Sequence, residues 1–132
     1  MAGEITIRPA VPDEAEDAIA ILDAAMLSFD RDAVREPGSE TTIVLAVREG
    51  RPVGAALVEA PELVAVAVRP RHRRQGIGSN LVGACQQRRE RLELTADAEL
   101  ATFYADLGFA VTDSCGGDRI RATWPSDERL DE

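Results

Sequence analysis

The stretch Leu63 to Leu81, LVAVAVRPRHRRQGIGSNL, constrains the fold most. Leu63 to Val68 is an apolar run of strand length, and its continuity predicts burial on both faces. A basic loop follows and closes with Arg73-Arg74-Gln75-Gly76-Ile77-Gly78. Ile77, Leu81, Val82 and Cys85 then recur at helical spacing on one face, with Gln86 to Arg91 facing solvent. Two glycines two apart at the mouth of a helix let the backbone turn sharply and approach a ligand closely. The first N–H groups of that helix carry partial positive charge, and the neighbouring arginines add full charges. The unit reads as strand, anion-binding turn and helix, with a pyrophosphate or similar anion as its natural ligand.

Two nucleotide patterns do not fit. A P-loop requires Gly-Lys-Ser/Thr, and the chain has no lysine. The dinucleotide fingerprint requires a third glycine shortly after the first two, and Gly83 lies too far along.

The rest of the chain supplies a sheet and helices around this unit. Glu4 to Arg8 alternates as a short strand, with Ile5 and Ile7 on one face. Pro12, Asp13, Glu14 and Glu16 have the chemistry of a helix start. The stripe Ala15, Ala18, Ile19, Leu22, Ala25, Met26 and Phe29 predicts an amphipathic helix reaching Phe29. Asp30 to Thr42 reads as a loop with at most one helical turn. Thr42 to Glu49 and Pro52 to Ala60 form a hairpin turning at Gly50-Arg51, and Pro61-Glu62 makes a tight corner into the next strand. After the glycine loop and its helix, Leu92 to Thr95 is a short strand. Asp97 is a candidate helix N-cap with Glu99 in the first turn. Leu100, Phe103, Tyr104 and Leu107 form the next stripe, and Gly108 sits where a left-handed cap is expected. Phe109 to Thr112 and Arg119 to Trp124 are two further strands, joined through Ser114-Cys115-Gly116-Gly117-Asp118. The order β-α-β-β-β-α-β-α-β-β predicts one α/β domain over residues 1–125 and an acidic, frayed tail over 126–132.

Composition bounds the function. The 132 residues carry a formal net charge of −9, which disfavours nucleic acid as a partner. The acidity has two readings: attraction of a cationic substrate, or a whole-proteome effect, either adaptation to high internal salt or a GC-rich coding bias toward Arg, Ala and Asp. Two cysteines and one histidine supply too few soft ligands for a zinc site, so no metal is expected. Cys85 and Cys115 read as reduced structural residues. No run is apolar enough to span a bilayer and the N-terminus lacks the form of a signal peptide, which predicts a cytoplasmic protein with no membrane partner.

Arg73-x-x-Gly76-x-Gly78, the strand and Arg69-Pro70 before it, and Phe103-Tyr104-Ala105-Asp106-Leu107-Gly108-Phe109 together resemble the GNAT family of N-acetyltransferases. The first matches the family's acyl-CoA loop, the last its FYxxLGF segment, and the likeness in element order runs from Ile5 to Trp124. The resemblance implies a mixed, mostly antiparallel sheet of six or seven strands, flanked by helices and splayed at the fourth and fifth strands. It implies acetyl transfer from acetyl-CoA, as co-substrate, to a primary amine on a small molecule or peptide, by direct attack in a ternary complex. The rival is a non-catalytic acyl-CoA-binding or regulatory module. Pairing into a homodimer through a sheet edge or the C-terminal strand is common in such folds. Three features depart from the family pattern. Asp97 stands where asparagine is frequent, His72 where an aromatic is, and the segment after the first helix is short.

Residue roles follow from the same resemblance. The pantetheine arm would pair with the backbone of Val66, Ala67 and Val68. Arg73, Arg74, Gln75, Gly76, Ile77, Gly78 and Ser79 would hold the pyrophosphate. Tyr104, the only tyrosine, would protonate the leaving thiolate. Glu62 is the candidate base, acting directly or through water, with Glu59 a weaker alternative. Strict alternation would place Glu62 on the side of Val64, Val66 and Val68. His72 reads as a packing or solvent-exposed residue, and Cys85 as poorly placed for a ping-pong route.

Overall fold

The computed structural model describes residues 4–73, 75–113 and 117–126. The strands are β1 (Ile5–Pro9), β2 (Thr41–Arg48), β3 (Arg51–Glu59), β4 (Glu62–Val68), β5 (Leu92–Asp97), β6 (Ala110–Asp113) and β7 (Arg119–Trp124). The helices are α1 (Ala15–Ala24), α2 (Arg31–Arg35), α3 (Ile77–Arg88) and α4 (Ala101–Asp106). One sheet runs in the order β1-β2-β3-β4-β5-β7-β6. Every neighbouring pair is antiparallel except β4 and β5, which are parallel and meet only at Glu62 and Glu93. The expected splay therefore lies between the fourth and fifth strands. Beyond the Glu62–Glu93 contact, the edge of β4 that faces β5 has no ladder partner among the described residues. Among the described residues no helix is long and apolar enough to cross a membrane. Arg74, the Ser114-Cys115-Gly116 part of the last turn, and the tail from residue 127 lie outside the described residues.

Each face of the sheet is covered by helices. Ala18, Ile19, Ile21 and Leu22 of α1 and Val34 of α2 pack on Leu45, Val47, Ala55, Leu57, Ala65 and Ala67. On the other face Ile77, Leu81, Val82 and Cys85 of α3 pack with Val44, Ala46, Ala56, Val58 and Leu63, and Tyr104 of α4 joins them. The α3 face expected from the sequence is thus the buried one. Gly54 permits this approach. A Cβ there would stand 3.1 Å from both the Ala67 carbonyl and Leu81 Cδ1, tighter than packed atoms allow without movement.

Local chemistry sets the element ends. A single 3-10 turn, Pro12–Glu14, precedes α1, and the Glu14 carboxylate ties it to β1. Both its oxygens accept from the Arg8 guanidinium at 2.8 and 2.7 Å, and one also accepts from Val11 N–H at 2.9 Å. Those bonds hold the Glu14 carboxyl down at about 2. After α4, Gly108 takes a left-handed φ of 96°. Its N–H donates to the Ala105 carbonyl and Phe109 N–H to that of Tyr104, which makes a Schellman cap.

Several expectations are corrected. The first helix ends at Ala24, not near Phe29, because Met26 adopts φ 63° and closes a Schellman cap without glycine. Met26 N–H donates to the Asp23 carbonyl and Leu27 N–H to that of Leu22, while Leu27 packs back against the α1-side core. The hairpin turns at Glu49-Gly50 rather than Gly50-Arg51, since φ is +53° and +78° at these two residues. Nor is β4 buried on both faces. Leu63, Ala65 and Ala67 are buried, whereas Val64, Val66 and Val68 are half-buried because cavities open beside them. A bulge also interrupts its alternation, for Val58 pairs with Leu63 while Leu57 pairs with Ala65, leaving Val64 over. Leu63, Val66 and Val68 consequently face the α3 side, and Val64 joins Ala65 and Ala67 on the α1 side. Glu62 does not share one alternating face with Val64, Val66 and Val68.

Candidate active site

The gap between β4 and β5 is flanked by two cavities. The first, about 520 Å³, lies along Val66, Ala67 and Val68 and runs to the start of α3. Arg73, Gly76, Ile77, Gly78 and Ser79 form its loop end, with His72 beside them. Phe103, Tyr104 and Leu100 wall it from the α4 side, and Ala25 and Leu27 from the end of α1. The second, about 440 Å³, is lined on the β4 side by Glu62 through Val66. Leu94 through Asp97 and Arg119 line its far side, and Met26, Leu27 and Ser28 its roof. Leu27, Val66, Leu100 and Tyr104 line both cavities. The two spaces therefore meet where β4 and β5 part.

The loop end has the properties expected of an anion site. Gly76 is the N-cap of α3 with φ 80°, and no side chain caps that helix. The early N–H groups of α3 are thus left to a ligand or solvent. A Cβ on Gly76 would meet nothing within 4 Å, so the requirement for glycine there is conformational. At Gly78 a Cβ would make only an ordinary 3.7 Å contact with the Phe103 ring. Arg73 is exposed, and its Nε donates to the Val68 carbonyl at 2.8 Å, which fastens the loop to the end of β4.

Sequence reasoning missed Arg48. From the end of β2 its guanidinium reaches His72 Nδ1 at 3.0 Å and Gln75 Oε1 at 2.8 Å. A guanidinium only donates, so Nδ1 is the acceptor. Arg48 thereby fixes both sides of the turn that leads into α3. Gln75 holds the loop through this bond rather than lining the cavity. His72 is half-buried at the cavity wall with Arg48 as its partner. Arginine at the end of a strand carries no local signal of such a long reach.

Tyr104 is buried, with its ring edge-on to Phe103 at 4.9 Å and to Phe109 at 5.4 Å between centroids. Its hydroxyl makes no hydrogen bond to any described residue, and no buried side-chain oxygen among them is left without a partner. The hydroxyl is therefore open to the cavities. Burial, with a smaller contribution from Cys85, pushes the phenol above its ordinary value, so it stays protonated at neutral pH. Cys85 is buried in the core and is pushed up to about 12 by desolvation, which makes it a poor nucleophile. Glu62 is exposed at the mouth of the second cavity. Glu59 does not line either cavity; it accepts a hydrogen bond from Thr41 Oγ1 at 2.7 Å. Asp97 stands at an N-cap position, but its carboxylate does not cap; it accepts from Arg119 at 2.8 Å across the β5–β7 pair.

Comparison with known proteins agrees with this architecture. The sequence matches the acetyltransferase (GNAT) domain over residues 10–121. No curated protein sequence matches it. Among solved structures, an Elizabethkingia anophelis GNAT family acetyltransferase with acetyl-CoA bound superposes with a TM-score of 0.66. It is 17% identical, with 90% of this chain and 96% of that one covered. The ribosomal-protein-S18-alanine N-acetyltransferase of Escherichia coli gives a TM-score of 0.70 at 20% identity, covering 91% of each chain. The apo form of YjaB from Escherichia coli gives 0.58 at 27% identity, covering 91% of this chain and 95% of that one. At these identities the superpositions speak for the fold, and the domain match, which spans most of the sequence, speaks for descent. The chain belongs to the GNAT acetyltransferase family.

Proposed function

We propose that the protein transfers an acetyl group from acetyl-CoA to a primary amine, by direct attack in a ternary complex. The observation that carries this reading is the meeting of two cavities at Val66 and Tyr104 in the β4–β5 gap. One cavity suits the acyl donor and the other the acceptor. The first is mostly apolar along its length and ends at an uncapped helix N-terminus beside Arg73, which matches an amide-bearing arm carrying a pyrophosphate. The acetyl-CoA thioester supplies an activated acyl group when bound.

This chain's residues then have distinct tasks. The β4 edge at Val66, Ala67 and Val68, where the Val68 carbonyl is shared with Arg73 Nε, offers backbone groups to the arm, and one N–H there stabilises charge developing on the carbonyl oxygen. Arg73, Gly76, Ile77, Gly78 and Ser79 grip the phosphates, Gln75 braces that loop through Arg48, and Arg74 belongs to it by sequence. Tyr104 holds a proton at its phenolic oxygen for the departing sulfur. Glu62 takes the proton lost by the amine, directly or through water. Cys85 takes no part, because its buried thiol is not ionised.

The test is release of free CoA from acetyl-CoA across a panel of amines and peptides, at low and high salt, with the acetylated product identified by mass. Amine-dependent release with a matching amide supports the proposal. Tight acetyl-CoA binding with no release across the panel would replace it with a binding module.

A further inference from the structure

The charges around the second cavity narrow the acceptor. Among the described residues three charged side chains line it: Glu62, Asp97 and Arg119. Asp97 and Arg119 form a 2.8 Å ion pair, and Arg119 also donates to Thr95 Oγ1 at 3.4 Å. That cation is committed to the wall. Glu93, beside Glu62 in the β4–β5 pairing, is likewise matched, with Arg91 at 2.6 Å and Arg121 at 3.5 Å. Among the described residues Glu62 has no ion pair, so it is the one uncompensated charge they bring to the lining. The roof is apolar. Met26 is 90% exposed, Leu100 is 38% exposed and Leu27 stands between the cavities.

We infer that the acceptor is a small amphiphilic amine, cationic before reaction and without a carboxylate. This rests on the acetyltransferase reading above. The ammonium group is drawn to Glu62 and the apolar body covers Met26, Leu27 and Leu100. A carboxylate beside the amine would meet Glu62 and find Arg119 already held by Asp97, so α-amino acids are disfavoured by like charge, within the modest range that solvent-exposed groups allow. The net charge of −9 acts in the same direction at longer range. The Asp97–Arg119 pair also gives a physical meaning to the aspartate that replaces the family's frequent asparagine. An asparagine would leave the arginine's charge free to bind an acid.

The experiment compares 2-phenylethylamine with phenylalanine, which differ by the carboxylate, and adds ethylamine and a short peptide with a free N-terminus. With acetyl-CoA saturating, kcat/KM for 2-phenylethylamine should exceed that for the other three by about tenfold or more. Asp97→Ala, which releases Arg119, should reduce the amine-over-amino-acid ratio by about tenfold, and Arg119→Gln should not reduce it. Those opposite responses separate a charge effect from simple loss of folding. Phenylalanine or the peptide as the better substrate, or an unchanged ratio in folded Asp97→Ala, would overturn the inference. If no acceptor turns over, calorimetric titration of the amine and the amino acid into the CoA complex decides it independently. Selective amine binding would uphold the acceptor class while the acetyltransferase reading fails, and absence of amine binding would overturn both.

Discussion

Replacing Tyr104 with phenylalanine isolates one hydroxyl. The ring should stay in place, since its edge-on contacts with Phe103 at 4.9 Å and Phe109 at 5.4 Å do not involve the oxygen. The hydroxyl has no partner among the described residues, so its removal orphans no other group. Stability should change by no more than about 0.5 kcal/mol. The catalytic cost is much larger if this oxygen carries the proton to the leaving sulfur. General acid catalysis contributes roughly 10²- to 10⁴-fold, and a loss at the lower end is about 2.7 kcal/mol of barrier. Tyr104→Phe should therefore lower kcat about 100-fold while leaving acetyl-CoA affinity within about twofold. The pH profile adds a second signature. Only the neutral phenol can donate, and burial raises it above its ordinary value of 10.0. The alkaline fall of wild-type kcat should lie above the range of an ordinary phenol, and that limb should vanish in the variant. Stability follows the same sign. It is fully present below the unfolded phenol value of about 10 and is lost as pH rises through the higher folded value. Steady-state thiol release and thermal unfolding between pH 6 and 11 read both effects. An unchanged kcat with normal CoA binding would refute the assignment and leave Tyr104 as a packing residue.

Three further outcomes are expected. Gly78→Ala should leave thermal stability nearly unchanged, because the new Cβ meets only the Phe103 ring at 3.7 Å. It should nevertheless weaken acetyl-CoA binding about tenfold or more by calorimetry, if phosphates approach that backbone closely; unchanged binding would remove Gly78 from the phosphate site. Arg48→Ala frees His72 and Gln75 and should raise the KM for acetyl-CoA about tenfold with kcat little altered, whereas equal effects on both would point to a different role. Glu14→Gln should cost about 1 kcal/mol at pH 7 by denaturant unfolding, a figure reduced because Arg8 is partly exposed. A carboxyl lowered to about 2 contributes stability above its unfolded value near 4.3, and that contribution fades as pH falls through 2. The wild-type advantage should therefore be small at pH 2, and an advantage independent of pH would contradict the ion-pair account.

Features with a local chemical signal were legible in the sequence. The glycine pair, the strand before it and the Phe103 to Phe109 segment set the loop, the α3 face and the left-handed cap at Gly108. Features that depend on partners far along the chain were not. The β4 bulge arises from pairing with β3, and it alone changes which residues share a face with Val66. Arg48 reaches across 24 and 27 residues to the loop. Asp97 looked like a cap because its sequence neighbours suit one, yet Arg119 on the adjacent strand claims its carboxylate. Met26 in a left-handed conformation ended α1 early against the periodicity, which brought Leu27 over the gap. The walls of the second cavity thus come mainly from non-local pairing, while the first cavity follows the glycine-loop motif.

In the proposed reaction the acetyl group passes directly from one cavity to the other across the β4–β5 gap. Initial rates with acetyl-CoA and 2-phenylethylamine both varied, with the amide quantified by mass, test it most directly. Direct transfer gives intersecting double-reciprocal lines, one amide formed for each CoA released, and no acetylated protein. Parallel lines with acetyl found on the protein, or CoA released without amide, would contradict it.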